Sequence, residues 1–196
     1  MANSDTPFGL KPIKHFSGAP WNGKANVYYV PSSDSTALFV GDAVKLGGSA
    51  DATGKYPSVA QATAGDAIVG VVIGFGDNPY TMINPDSPNT NYRVASTEMY
   101  CLVVDDPQVI FEVQEDSGGA ALAVTAVGQG VDLVVGSGST TTGKSGMELD
   151  SSSATTSGQC KLMRLVNRED NVLGDNAKWE VLIAEHQYLN SVGTGV

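Results

Sequence analysis

Basic residues, cysteine, histidine and aromatics are all scarce in this chain, and each shortage excludes something. Eleven Lys and Arg face 21 Asp and Glu, a formal charge of −10, and the cations form no run. Neutralising nucleic-acid phosphates takes clustered Lys and Arg, so direct binding of DNA or RNA is excluded as an expectation. The two cysteines, Cys101 and Cys160, lie far apart in apolar runs with no CxxC or HxxxH spacing near them. No metal site is expected from that pattern, and two buried free thiols are expected rather than a disulfide. No apolar stretch is long enough to cross a membrane, and the first residues, MANSDTPFGLKPIKH, lack a signal-like apolar segment. A soluble chain used without secretion by a cleaved signal is therefore expected.

What is abundant is glycine, serine, threonine and short apolar runs. The runs are NVYYV from Asn26, LFVGDAVKL from Leu38, AIVGVVIGF from Ala67, YRVAS and MYCLVV between Tyr92 and Val104, VIFEVQ from Val109, VDLVV from Val131, CKLMRLVN from Cys160 and WEVLIAE from Trp179. Frequent turn residues between short β-rich runs point to an all-β chain, an antiparallel β-barrel or β-sandwich with little helix. In WEVLIAE, Trp179, Val181 and Ile183 alternate with Glu180, Leu182 and Ala184. In VIFEVQ, Phe111 and Val113 alternate with Glu112 and Gln114. A period of two marks half-buried strands. The segment from Gly118 to Gly128 fits a short helix or a strand equally well.

Residues 1–24 carry isolated apolar anchors (Phe8, Leu10, Ile13, Phe16, Trp21) between prolines and glycines. They are expected to form an extended N-terminal arm on a neighbouring surface, ahead of a single β-rich domain over 25–196. Two long connections follow. Gly74 to Tyr92 is rich in proline and asparagine, with Tyr80, Met82 and Ile83 at its centre, and long loops in a compact domain are commonly functional. Gly136 to Gly158 is rich in serine and threonine.

That second connection contains GSTTTGKS, Gly138 to Ser145, a full match to the phosphate-binding Walker A pattern. Such a loop works only where a helix begins at its Gly-Lys-Ser, so that backbone N–H groups and the helix N-terminus face the phosphates. The following residues, GMELDSSSATTSGQ, have no helical spacing of apolar residues. CLVVDD, ending at Asp105 and Asp106, resembles a Walker B strand but precedes the loop instead of following it, and Asp105-Asp106-Pro107 reads equally well as a turn between two antiparallel strands. Both matches are read as structural. Lys144 is expected to be a surface charge, and nucleotide binding through Lys144 and Ser145 is the disfavoured alternative.

The acids at Asp105, Asp106, Glu112, Glu115 and Asp116 are expected to be solvated strand ends, because no EF-hand spacing supports a cation. His15 and His186 have no nucleophile context, since the chain has no GxSxG elbow, and are expected at a surface or interface. Trp21, Tyr28 and Tyr29 are expected as core or interface anchors rather than base-stacking groups. No catalytic residue and no cofactor is expected.

The stretches PFGLKPIKHFSGAPWNG and YYVPSSDSTALFVGDAVKL, followed in order by AIVGVVIGF, YRVAS, VVDDPQVIFEVQED, VGQGVDLVVGSG and LVNREDNVLGDNAKWEVLIAEH, resemble virion structural proteins of tailed bacteriophages along nearly the whole chain. Within that group, size and β-rich makeup resemble the capsid decoration (cement) proteins. The resemblance implies a non-enzymatic homotrimer that sits on the outer capsid shell, assembled in the host cytoplasm. Its partners would be the major capsid protein and itself, with no nucleic acid and no membrane. A tail-tube or other tail subunit is the alternative in the same class, and a carbohydrate-binding β module is a third. On this reading the contact residues would be Phe8, Leu10, Ile13 and Trp21 in the arm, with Tyr80 and Met82 in the loop.

Overall fold

The computed structural model describes residues 3–80 and 91–190. In chain order the strands are β1 (Lys11–His15), β2 (Asn26–Val30), β3 (Leu38–Phe39), β4 (Ala43–Ala50), β5 (Pro57–Gln61), β6 (Gly70–Gly76) and β7 (Tyr92–Arg93). They continue with β8 (Met99–Val104), β9 (Val109–Gln114), β10 (Gly130–Val131), β11 (Leu133–Val134), β12 (Glu148–Leu149), β13 (Cys160–Leu165) and β14 (Lys178–Ile183). A 3-10 turn over Val124–Ala126 and one helical turn, α1 (Gln187–Asn190), complete the described elements. The chain is all-β, as its short runs and turns imply.

Two bodies of sheet share the work. Strands β2, β5, β4, β6 and β8 close into a barrel, while β1, β9, β14, β13 and β10 form an open antiparallel sheet in that order. Closure rests on a parallel pairing, Tyr29 opposite Ser58 between β2 and β5. The two bodies pack because the barrel wall is apolar on both faces where they meet. Val44, Val72 and Val103 point into the barrel, whereas their neighbours Ala43, Val71 and Val104 belong to the core shared with Phe111, Val113, Trp179 and Val181 of the sheet. Adjacent residues of a strand face opposite ways, so consecutive valines are what a wall between two cores requires.

Several local departures from the sequence reading have clear causes. VDLVV breaks at Asp132, whose Oδ1 accepts the Gln159 N–H at 3.0 Å and whose own N–H donates to Ser153 Oγ, so the run divides between two sheets. LFVGDAVKL breaks at Gly41 and the buried Asp42, whose Oδ2 accepts from the Phe39 N–H and from Gln61 Nε2. Strand β9 is buried along its full length instead of alternating with solvent. Its polar face is covered: Gln114 receives the Thr6 N–H and reaches Asp5 and Glu148, and Glu112 is 2.8 Å from Arg168.

The expected extended arm takes a different form. Residues 3–24 lie against the chain's own fold. β1 pairs antiparallel with β9, from Lys11 opposite Glu112 to His15 opposite Val109, and Leu10 is 1% exposed in the main core. Apolar anchors strung along an extended segment carry no information about whose surface they cover. Here the segment that carries them adds β1 to the edge of β9 in the same chain.

The cysteines are free and buried, one in each core, and burial pushes both thiols up to about 12. His186 departs from expectation: it is 1% exposed, with Nε2 3.1 Å from the Asp105 carbonyl and Nδ1 accepting the Tyr188 N–H. Burial lowers its pKa, which fits a neutral ring held between two backbone groups.

Candidate functional site

The Walker-like segment is built into the fold as a strand-like connection. Val40 N–H donates to Gly143 O at 2.9 Å and Ser145 N–H donates to Val40 O at 2.8 Å, so the Gly-Lys-Ser pairs beside Val40 and starts no helix. The amides of Ser139, Gly143 and Ser145 bond to backbone carbonyls, and that of Thr142 bonds to Ser139 Oγ. Ser145 is buried, its Oγ accepting the Met147 N–H and bonding to the Asp42 carboxylate. A phosphate cradle needs those amides and that hydroxyl free and convergent; here both are committed to the protein's own groups. Asp105 and Asp106 fall in the turn that carries the chain from the barrel at β8 to the open sheet at β9, so β8 and β9 are not hairpin partners.

The acids read as solvated strand ends are mostly tied down. Asp105 accepts from Asn26 Nδ2 and from Tyr28 OH, Asp106 lies 3.3 Å from His15 Nδ1, and Asp116 accepts the Ser151 N–H. Glu115 is fully buried, with Oε2 accepting the Leu122 N–H, and burial pushes its carboxyl up to about 7. Among the described residues no group of three His, Cys, Asp or Glu is arranged to hold a metal ion.

The residues expected to contact a partner separate into three places. Phe8 and Leu10 line a groove of about 410 Å³ together with Lys11, Pro12, Val40, Ile73 and Lys144. Leu10 is buried there and serves the core, while Phe8 is half-buried. Ile13 is half-buried in β1. Trp21 packs on the main core from outside, its Nε1 donating to Lys24 O at 3.3 Å, in a separate hollow beside His15 and Asp106. Met82 lies outside the described residues.

Tyr80 is different. It is 78% exposed and hydrogen-bonded to Tyr56. Tyr56 meets Tyr100 edge-on with ring centroids 5.4 Å apart, and Tyr100 meets Tyr29 at 5.6 Å. Tyr29 and Tyr100 are opposite each other on β2 and β8, so both stand on the outer face of the barrel. Four of the chain's seven tyrosines thus share one surface, flanked by Glu98, which accepts the Tyr29 hydroxyl at 3.1 Å, and by Asp51. Burial first, and the neighbouring phenols and carboxylates second, raise the pKa values of Tyr29, Tyr56 and Tyr100, so the surface stays phenolic. Rigid amphipathic rings at an exposed surface are the side chains that dominate binding hot spots. Sequence reading singles out Tyr80 but misses Tyr56 and Tyr100. The alternation of YY in β2 and of MYCL in β8 places one tyrosine of each run outward, but which outward faces adjoin depends on barrel closure.

The protein is thus an all-β chain whose exposed aromatic surface sits on a closed barrel. Comparison with protein-family models, with curated proteins and with solved structures finds no match.

Proposed function

We propose that this chain is a non-enzymatic virion structural protein of a tailed bacteriophage, a decoration (cement) protein that binds the outer capsid shell and bridges neighbouring capsomers. The gathering of Tyr29, Tyr56, Tyr80 and Tyr100 on one outer barrel face carries the reading, because it is a preformed contact surface of the kind a shell-binding module needs. The resemblance of the sequence supplies the partner, the major capsid protein, and the location on the outside of the particle. The formal charge of −10 keeps such particles soluble and mutually repelling. Phe16, 61% exposed at the tip of the turn after β1, offers a second anchor on the N-terminal segment. Several modest contacts per oligomer would sum to tight attachment, and a homotrimer on the shell would supply them.

The test is co-sedimentation of the purified chain with capsid shells assembled from the major capsid protein of the phage that encodes it. Wild type should pellet with the shells, and Tyr80→Ala together with Tyr100→Ala should lower the affinity by about a thousandfold, two hot-spot contacts' worth. Wild-type chain left wholly in the supernatant would sink the reading. Rings or tubes formed by the chain alone, seen by electron microscopy, would favour the tail subunit instead.

A further inference from the structure

The turn between β13 and β14 is fixed from two sides by asparagine side chains. Between β13 and β14, Asn171 Nδ2 donates to the carbonyls of Val166 and Lys178, and its Oδ1 accepts the Lys178 N–H. From the other side, Asn3 Nδ2 donates to the carbonyls of Val172, Gly174 and Asp175, and its Oδ1 accepts the Val172 N–H at 3.0 Å. The tip so fixed presents Val172 and Leu173 to water, 45% and 46% exposed. The exposed acids Glu169, Asp170 and Asp175 flank them in sequence, Asp170 being paired with Arg168 of the same chain at 3.1 Å. A rigid apolar tip with an acidic collar loses little entropy on docking.

The complementary surface is the groove beside β1. Its walls include the partly exposed Phe8, Pro12, Val40 and Ile73, the mutually paired Glu112 and Arg168 also line it, and Lys11 and Lys144 add two further cations. Among the described residues neither lysine has a carboxylate within ion-pair distance. In a chain of net charge −10, two unpaired cations over an apolar hollow form a local exception with the right sign for the acidic collar. Strand addition along β1 is disfavoured, because Lys11 and Pro12 stand at that edge and Pro20 already bridges Lys14 there. Docking into the groove is therefore by side chains.

We infer that two copies of this chain associate by seating the Val172–Leu173 tip of one in the Phe8–Ile73 groove of the other, with Lys11 and Lys144 facing the acidic collar. The contact joins unlike surfaces, so it gives a reciprocal pair, a ring where the rotation closes, or an open filament where it does not. It stands apart from attachment to a capsid and from the tyrosine surface.

The experiment is sedimentation velocity of the full chain alone across a wide concentration range at ~0.15 M salt, where the screening length is about 8 Å. Wild type should show concentration-dependent assembly. Leu173→Asp, an exposed site where circular dichroism should show an unchanged fold, should weaken assembly by at least about tenfold, the effect of a 1.4 kcal/mol loss. Lys144→Glu should also weaken it, and Lys144→Glu combined with Asp175→Lys should recover most of the loss. Tyr80→Ala should leave assembly unchanged, separating this contact from shell binding. A wild type that stays monomeric throughout, or an assembly indifferent to both Leu173→Asp and Lys144→Glu, overturns the inference.

Discussion

The barrel and the open sheet solve the same problem, an exposed row of backbone groups, by different means. The barrel joins β2 to β5 and so has no edge, and its interior (Tyr28, Val30, Val44, Val59, Val72, Phe75, Cys101, Val103) is almost wholly apolar. The sheet keeps edges, and buries polar groups beside its apolar face: Glu112, Gln114, Glu115 and Glu180 are all at most 9% exposed. Glu115 accepts the nearby Leu122 N–H, and the other three are covered by side chains or backbone from elsewhere in the chain. Lys14 and Arg164 pair with Glu180, Arg168 pairs with Glu112, and Asp5 and Thr6 reach Gln114. The β2–β5 closure is made by backbone groups, which need neither side-chain charge nor the N-terminal segment. A sheet held by distant polar partners depends on both.

Breaking either core should give the largest effects. Trp179→Ala in the sheet and Phe75→Ala in the barrel should each cost about 3–5 kcal/mol in denaturant unfolding. Because β6 sends Val71 into one core and Val72 into the other, each variant should still unfold in a single transition. Two separated transitions would show that the bodies fold independently.

Arg93 is the barrel side's own exception, a fully buried cation that donates to the carbonyls of Pro31, Asp34, Thr36 and Thr97. Arg93→Ala would strand those acceptors, and a loss of about 3 kcal/mol or more is expected by the same measurement. A neutral outcome would mean that water replaces the guanidinium.

At Gly9, φ is +71° and an added Cβ would lie 2.6 Å from Ser145 Cβ, so Gly9→Ala should lift the N-terminal segment off Gly41 and cost about 2 kcal/mol. Hydrogen exchange should then rise along β1 and β9 and stay unchanged in β2 and β8. Equal loosening of both bodies would erase the contrast between them.

The smallest effect is a slope. Glu115 has its carboxyl raised to about 7, above the ordinary carboxylate value, so its contribution to stability is full below about pH 4.3 and is lost as pH rises through 7. Glu115→Gln should flatten that part of the Tm-against-pH curve. An unchanged slope in the variant would place the pH dependence elsewhere.

The strands themselves were legible because a period of two and turn residues act locally: Trp179, Val181 and Ile183 are buried as read, although Lys178 and Glu180 on the opposite face are buried too, so β14 is not the half-buried strand its alternation implies. The missing helix after Ser145 was legible for the same reason. Less visible was the candidate site. Tyr80 stands out in its loop, but Tyr56 and Tyr100 join it only through the barrel, and Val172 and Leu173 look in sequence like any short apolar pair. Phe8 and Leu10 were visible as anchors without any sign that they anchor the chain to itself.

By itself, then, the sequence determined the fold class, the free thiols, the absence of a helix at the Gly-Lys-Ser and the acidic balance, since these follow from local periodicity and from counting charges. Tertiary structure alone decided that β2 and β5 close the barrel, that residues 3–15 cover β9, and that four tyrosines share one face. Those outcomes depend on which distant segments meet, and pairing between distant segments is a competition for uncovered edges and faces that no local pattern records.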